Sequence, residues 1–255
     1  MPATHSIVIP AYNESDRIRS TLDRVLNHVQ ARGWNAEILV VDDGSTDDTA
    51  EIVRQYASEN PAFRLLQNPG NRGKGYSVRN GILHANGELI LFTDADLSSP
   101  IEDADLLFSA LAEGYDIAMG SRWLRAELQT ERQPLHRQLF GRIFNLALRL
   151  ILGLHYRDTQ CGFKAFTRRA TSLIFPLQHI ERWGFDPEIL FVARKLGLKV
   201  KEVPVHWAHR EGTRINPLRD GIRMFWVMLK IRWYALTGKY DAGPPPTSRD
   251  SMTLP

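Results

Sequence analysis

The sequence contains a single cysteine, Cys161, in 255 residues. An internal disulfide is thereby excluded, so the fold must rest on its hydrophobic core, as suits a reducing compartment. Long apolar runs are also missing. No window of 18 uncharged apolar residues occurs, and a spanning helix needs about that many. Only five residues separate Met1 from the apolar run opened by Ile7, which Pro10 ends, so no basic-then-apolar signal peptide is expected. An integral membrane protein is therefore not expected. Biased composition is absent too: 43% hydrophobic and 24% charged residues are ordinary globular values and exclude a disordered or collagen-like chain. The length suits one large domain, and no internal repeat is found.

The net charge of +3 hides an asymmetry. Residues 121–239 carry 22 Lys/Arg against 9 Asp/Glu, and the remainder carries 10 against 20. An acidic half joined to a basic, aromatic half suggests a metal or polar-ligand site beside a surface for anions. Nucleic acid, phospholipid headgroups and phosphorylated small molecules all fit that description.

Short apolar runs at Ser6–Pro10, Glu37–Val41, Phe63–Leu66, Glu88–Phe92 and Asp116–Met119 read as strands. Between them lie helical patterns. Ile18, Leu22, Val25, Leu26 and Val29 form one apolar helix face. Ile52, Val53 and Tyr56 continue a helix expected to start at Ser45-Thr46, with Asp47 and Asp48 in its first turn. This alternation predicts an open α/β fold with a mostly parallel sheet and right-handed crossovers, whose ligands bind at the carboxyl ends of the strands. Further on, Leu139–Leu154 and Gly221–Leu236 read as apolar helices interrupted by cations. Gly162–Thr167 and Lys199–Val205 read as strands around a helix over Pro187–Leu196. The last 14 residues, with Pro244-Pro245-Pro246, read as a disordered tail.

Acidic residues fall where that topology places a site. Asp42-Asp43-Gly44-Ser45 follows one strand and Asp94-Ala95-Asp96 another. Carboxylates converging from two strand ends can hold a hard divalent cation together with phosphate oxygens. The basic glycine loop Asn71-Arg72-Gly73-Lys74-Gly75 lacks the spacing of a P-loop or a dinucleotide fingerprint. It reads equally as an ordinary turn or as a ligand contact through Lys74. His206 and His209 lack a third ligand for zinc, and Cys161 reads as packed rather than reactive. Trp183, Trp207, Trp226 and Trp233 read either as core or as aromatics of a membrane-facing surface. The basic residues alternate with long apolar runs and carry no nucleic-acid signature, so no nucleic-acid partner is expected.

Five elements in order resemble the inverting GT-A glycosyltransferases of family 2. They are Pro10-Ala11-Tyr12-Asn13-Glu14, Val41-Asp42-Asp43-Gly44-Ser45, Asn71-Arg72-Gly73-Lys74-Gly75, Asp94-Ala95-Asp96 and Gly120-Ser121-Arg122. Asp158-Thr159-Gln160-Cys161-Gly162-Phe163-Lys164, Glu181-Arg182-Trp183-Gly184-Phe185-Asp186 and residues 231–238 resemble the dolichyl-phosphate β-glucosyltransferases in particular.

The resemblance implies a single GT-A domain over residues 1–240, with a nucleotide-sugar half (5–122), an acceptor- and membrane-facing half (123–240) and a tail over 241–255. It implies glucose transfer from UDP-glucose to a dolichyl or polyprenyl phosphate, with inversion and with Mg²⁺ or Mn²⁺ as cofactor. Pro10, Tyr12, Glu14 and Asp42 would hold the uridine. Asp94, Ala95 and Asp96 would bracket the ribose, diphosphate and metal, with Asp94 and Asp96 as the metal ligands. Lys74 and Arg214 would also serve the donor, beside Arg122. Ser98 stands where related mannosyltransferases have a metal-binding Gln. Arg137, Gly141 and Asn145 would form the acceptor-phosphate stripe of a helix, and Arg210 with Arg214 a basic loop closing on the diphosphate. Asp158 would orient the acceptor or serve as structural support. Members of that group usually begin with a membrane-anchoring helix, and none is expected here. Peripheral attachment to the cytoplasmic face of a membrane is therefore expected. A GDP-mannose donor or a glycan-hydroxyl acceptor is the alternative within the family, the latter needing Asp158 or Asp186 as base.

Overall fold

The computed structural model describes residues 3–124, 146–208 and 217–241. Seven strands make one sheet: β1 (His5–Ala11), β2 (Ala36–Asp42), β3 (Phe63–Gln67), β4 (Leu89–Thr93), β5 (Ile117–Ser121), β6 (Phe163–Thr167) and β7 (Val200–Pro204). Their order is β3-β2-β1-β4-β6-β5-β7. Only β6 runs antiparallel to its neighbours β4 and β5; the other pairings are parallel. The strands predicted from sequence are all present, with ends moved by one or two residues. The expectation of a mostly parallel sheet holds.

The continuous apolar runs arise because both faces of the sheet are covered. On one face Ile7, Ile9, Ile38 and Val40 pack against Ile18, Leu22 and Val25 of α1 (Ser15–Arg32) and Leu107 of α4 (Ala104–Ala112). On the other, Val8, Leu39, Val41 and Phe92 meet Val78 and Ile82 of α3 (Lys74–His84), Ala170 of α5 (Arg168–Ile174) and Ile189 and Leu190 of α6 (Phe185–Lys195). Neighbouring strand residues thus feed opposite cores, as the pleat requires. α7 (Pro217–Leu236) lies against a π-helical turn (Leu148–Leu152) and α6. Of the predicted helix Leu139–Leu154, the part up to residue 145 falls outside the described residues, and the remainder is this turn and the residues flanking it.

The helix expected from Ser45 begins instead at Thr49, as α2 (Thr49–Glu59). The physical reason is competition for the same polar groups. Residues 45–49 spend them on the loop after β1: Asn13 N–H donates to Ser45 Oγ (2.9 Å), Thr46 N–H to Asn13 Oδ1 (2.8 Å) and Glu14 N–H to Thr49 Oγ1 (2.8 Å). Asp47 accepts from the backbones of both Ser15 (3.1 Å) and Thr49 (3.0 Å), which holds its carboxyl down at about 2, against the effect of burial.

The order of the strands locates the site. Successive strands leave β1 in one direction to β2 and β3, then return to its other side at β4. Such a reversal opens a crevice beyond the carboxyl ends of the strands concerned, here β1 and β4.

Candidate active site

A cleft of about 380 Å³ occupies that crevice. Its lining includes Pro10, Tyr12 and Glu14 from the loop after β1, Asp94, Ala95 and Asp96 from the turn after β4, and Lys74 at the start of α3. Seven residues singled out by sequence are thereby brought together. Asp42 is not among them. It is 1% exposed, with Oδ1 accepting from Ser45 N–H (3.1 Å) and Oδ2 from Gln67 (3.3 Å). Its neighbour Asp43 lines the cleft instead.

Asp43 explains the basic glycine loop. Its carboxylate accepts from the backbones of Arg72 (3.0 Å) and Gly73 (2.7 Å) and from Asn68 (2.7 Å), so it fixes residues 68–73. The glycines then let this loop approach other backbone. A Cβ on Gly75 would lie 2.5 Å from the Ile180 carbonyl oxygen, and one on Gly73 would lie 2.9 Å from that of Glu181. The loop is thus a packing joint against residues 180–185, and it carries Lys74 to the cleft.

The turn after β4 is strained. Leu97 has φ of 46°, uncommon for a residue with a Cβ, and Ser98 N–H donates to Asp96 Oδ1 (2.9 Å). Lys74 Nζ lies 2.5 Å from Asp94 Oδ1 and stands over the rings of Phe92 and Trp183. Burial works against its charge, but Asp94, Asp186 and Asp96 together hold the ammonium protonated above its ordinary range. Burial also pushes the Glu14 carboxyl up, opposed by Arg17 and reinforced by Asp96, Asp94 and Asp47. Crowded carboxylates that raise one another's proton affinity are what a cation would relieve. Among the described residues no group of three ligands forms a closed metal cage. A two-carboxylate site whose remaining ligands are phosphate oxygens is the usual arrangement for Mg²⁺, and Asp94 with Asp96 fits it.

Beside the cleft, Arg122 grips Asp158 through Nε (2.7 Å), Nη2 (2.8 Å) and its backbone N–H (3.0 Å). Burial opposes ionisation of Asp158, but the guanidinium holds its carboxyl below the ordinary range. A carboxylate bound on both oxygens is poorly placed to take a proton, so the geometry favours the supporting role over the base. Lys164 is fully buried, with Nζ 2.5 Å from both Asp186 Oδ1 and the Cys161 carbonyl. Cys161 is buried and its thiol is pushed up to about 11 by burial, which is an inert environment. His206 bonds to Asp103 (3.0 Å). Arg137, Gly141, Asn145, His209, Arg210 and Arg214 lie outside the described residues.

Sequence reasoning missed the positional roles of Gly162, Glu188 and Glu202. A Cβ on Gly162 would sit 2.1 Å from Asp94 Oδ2, so only glycine leaves room for that carboxylate. Glu188, fully buried in α6, accepts from His179 N–H (2.9 Å), Ile180 N–H (2.8 Å) and Tyr240 Oη (2.6 Å). Glu202 accepts from the Arg157 and Asp158 backbones. Gly162 lies inside a quoted motif, but its partner is 68 positions away in sequence, and no local pattern links them.

Residues 6–175 match the model of glycosyl transferase family 2. The chain belongs to that family. Relatives named dolichyl-phosphate β-glucosyltransferase include one from Trichomonas vaginalis, 39% identical over 92% of this chain and 75% of its own length. Another, from Homo sapiens, is 34% identical over 92% of this chain and 76% of its own. Among solved structures, glucosyl-3-phosphoglycerate synthase from Mycobacterium tuberculosis superposes with a TM-score of 0.68 at 24% identity, covering 91% of this chain and 81% of that one. The same synthase in complex with Mn²⁺, UDP and glucosyl-3-phosphoglycerate gives 0.67 at 22% identity, covering 91% and 80%. The GT-A fold of this family 2 glycosyltransferase is thus established, as its motifs implied.

Gly162→Ala should displace the Asp94 carboxylate and lower transferase turnover at least about tenfold while the circular dichroism spectrum stays unchanged, since overpacking here meets a cleft side chain rather than the core. Wild-type turnover in that variant would show that the position of Asp94 is not what the chemistry requires.

Proposed function

We propose that this glycosyltransferase moves glucose from UDP-glucose to the phosphate of dolichol or another polyprenol, with inversion to the β-linkage. The observation that carries the reading is the 34–44% identity to enzymes of that name over about nine-tenths of the chain. The cleft supports it. Pro10, Tyr12 and Glu14 offer a wall for a nucleoside, and Asp94 and Asp96 lie where a diphosphate with its cation would sit. Those two residues would hold Mg²⁺ or Mn²⁺, which supplies positive charge against a leaving diphosphate.

In the proposed reaction a phosphate oxygen of the lipid attacks the anomeric carbon from the face opposite UDP. The new C–O bond forms as the bond to the diphosphate breaks, and the electron pair leaves on UDP. A phosphate monoester has its second pKa near ~6 and is already largely dianionic at neutral pH, so it needs no protein base. That agrees with Asp158 being taken up by Arg122. Cations must instead hold two anions together, a task for the basic half. Arg137, Gly141 and Asn145 are proposed for the acceptor phosphate, and Arg210 and Arg214 for closing on the donor.

The proposed site of action is the cytoplasmic face of a membrane, by peripheral attachment. No helix among the described residues is long and apolar enough to cross one. α7 nevertheless has two apolar faces. Met228 and Ile231 are buried against the domain, with Met224 and Val227 half-buried beside them. At about 100° per residue, the exposed Ile222, Phe225, Trp226, Leu229, Trp233 and Leu236 fall on the opposite side. Arg223 and Lys230 flank that stripe on one edge and Arg232 on the other. An apolar stripe bordered by cations suits the headgroup region of an anionic bilayer, with rings inserted and charges at the phosphates. Of the four tryptophans in question, Trp183, Trp226 and Trp233 are surface groups, 60%, 65% and 55% exposed, and Trp207 is half-buried.

Incubation with a panel of nucleotide sugars and a polyprenyl phosphate tests the reaction. UDP-glucose should give a β-linked lipid product and GDP-mannose little; preference for GDP-mannose would overturn the glucosyl assignment and leave the fold intact. Asp96→Asn should lower turnover at least about 10²-fold, since charge neutralisation at a leaving diphosphate is worth several kcal/mol. Full wild-type activity in excess EDTA would remove the divalent ion from the scheme. In flotation assays the protein should rise with anionic liposomes at low salt and less at high salt, because part of the attraction is screened charge. Protein remaining at the bottom at low salt would mean that the exposed stripe of α7 has another occupant.

A further inference from the structure

Lys74 is placed against the interest of its own helix. It is the first residue of α3, where the macrodipole disfavours a cation. Two features offset that cost: the carboxylate of Asp94, and the faces of Phe92 and Trp183, each 5.5 Å from Nζ. Asp94 is held between two neighbours. One of its oxygens is against Lys74, and the carboxylate lies directly over Gly162, where even a methyl group would collide. Asp96 in turn spends Oδ1 on the Ser98 backbone. A divalent ion arriving alone therefore meets a site whose best ligand is already neutralised.

We infer that Lys74 is a resident counter-ion of Asp94 that must be released before a divalent cation can bind, and that the released ammonium turns to the donor diphosphate. Resting on the donor reading above, this makes ion and nucleotide bind as a pair. The ion displaces the ammonium, the diphosphate gives the ammonium a new partner, and neither alone meets the full requirement. The neighbouring Asp186 is already paired, because the buried Lys164 holds its Oδ1 at 2.5 Å. The displaced ammonium therefore has the diphosphate as its natural destination. Trp183, half open to solvent and lining the same cleft, forms the wall along which it would move.

The test uses Mn²⁺ itself as the probe, read by electron paramagnetic resonance of free Mn²⁺, with UDP affinity read by calorimetry and no turnover involved. For wild type, UDP should tighten Mn²⁺ binding strongly. For Lys74→Met, Mn²⁺ alone should bind at least about fivefold tighter than to wild type, while UDP at saturating Mn²⁺ should bind at least about fivefold more weakly. Lys74→Arg, which keeps the charge, should keep wild-type-like weak binding of Mn²⁺ alone, and guards against a folding artefact in the Met variant. Unchanged Mn²⁺ affinity in Lys74→Met would show that the ammonium does not guard Asp94. A tighter ion with unchanged UDP affinity would show that it never turns to the diphosphate. Failure of wild type to take up Mn²⁺ even with UDP would overturn both this inference and the divalent-ion reading. Coupled uptake of Mn²⁺ with GDP in place of UDP would overturn only the choice of donor.

Discussion

Negative charge gathered at the carboxyl edge of the sheet must be balanced before anything else can be built there. Two unit charges about 4 Å apart near a protein surface interact with roughly 4 kcal/mol, so unrelieved carboxylates would drive the loops apart. Four pairs resolve this: Arg17 with Glu14, Lys74 with Asp94, Arg122 with Asp158 and Lys164 with Asp186. They are not equivalent. Arg17 and Glu14 are half open to solvent and their pairing stabilises little. Lys164 is fully buried, and Asp158 nearly so. Removing either partner of such a pair leaves an uncompensated buried charge, which costs about 3–5 kcal/mol. The Arg122–Asp158 pair joins the segment preceding β6 to the end of β5, and the Lys164–Asp186 pair joins β6 itself to α6, so the electrostatics of the cleft and the packing of these later elements are one problem.

Close backbone approach is the second requirement, and glycine meets it. Gly44 has φ of +74°, and a Cβ there would lie 2.7 Å from the backbone of Gly70. Gly73 and Gly75 admit residues 180–182 in the same way. The contacts of Gly73 and Gly75 draw the acidic first half and the basic second half onto one cleft. One sheet spans the charge asymmetry of the sequence, with β6 of the basic half between β4 and β5.

Much of this was legible in the sequence, and the exceptions have a common cause. The strands were readable because a strand covered on both faces is a continuous apolar run. That acidic residues after β2 and β4 converge on one sheet edge followed from strand order, and Glu14 was indicated by the family resemblance; Asp43, Asp94, Asp96 and Glu14 line one cleft. The start of α2 was not readable, because Ser45, Thr46 and Asp47 look like helix caps and are instead spent on Asn13, Glu14 and Ser15 across a turn of chain. The choice between Asp42 and Asp43 depended on which of two adjacent carboxylates the pleat turns inward. The pairing of Arg122 with Asp158, and the space that Gly162 leaves for Asp94, are long-range contacts with no local signature. Local patterns reported elements; the division of labour among polar groups was set by tertiary neighbours.

The balance of charge also bears on where an anionic acceptor can be held. In and beside the cleft, Lys74 is matched to Asp94, Arg122 to Asp158 and Lys164 to Asp186, so before donor binding these three are balanced by the protein's own carboxylates, while the exposed Arg182 lines the cleft and donates to the Asn71 carbonyl (3.4 Å). A second anion beside a sugar diphosphate needs further positive charge. Further positive charge stands in two segments of the sequence: residues 125–145 hold four arginines against two glutamates, and residues 209–216 hold two arginines against one glutamate. Residues 209–216 lead directly into α7, which packs onto the rim of the cleft. Gly184 lies so near Val227 that a Cβ would come within 2.7 Å of it, and Gln160 donates to Met224 Sδ (3.9 Å). The exposed stripe of α7 is therefore fixed relative to Trp183 and the cleft mouth. On the proposed membrane docking, a lipid phosphate at headgroup depth would meet the donor without leaving its bilayer, because the helix proposed to dock also makes the contacts that would set the height of the cleft above it.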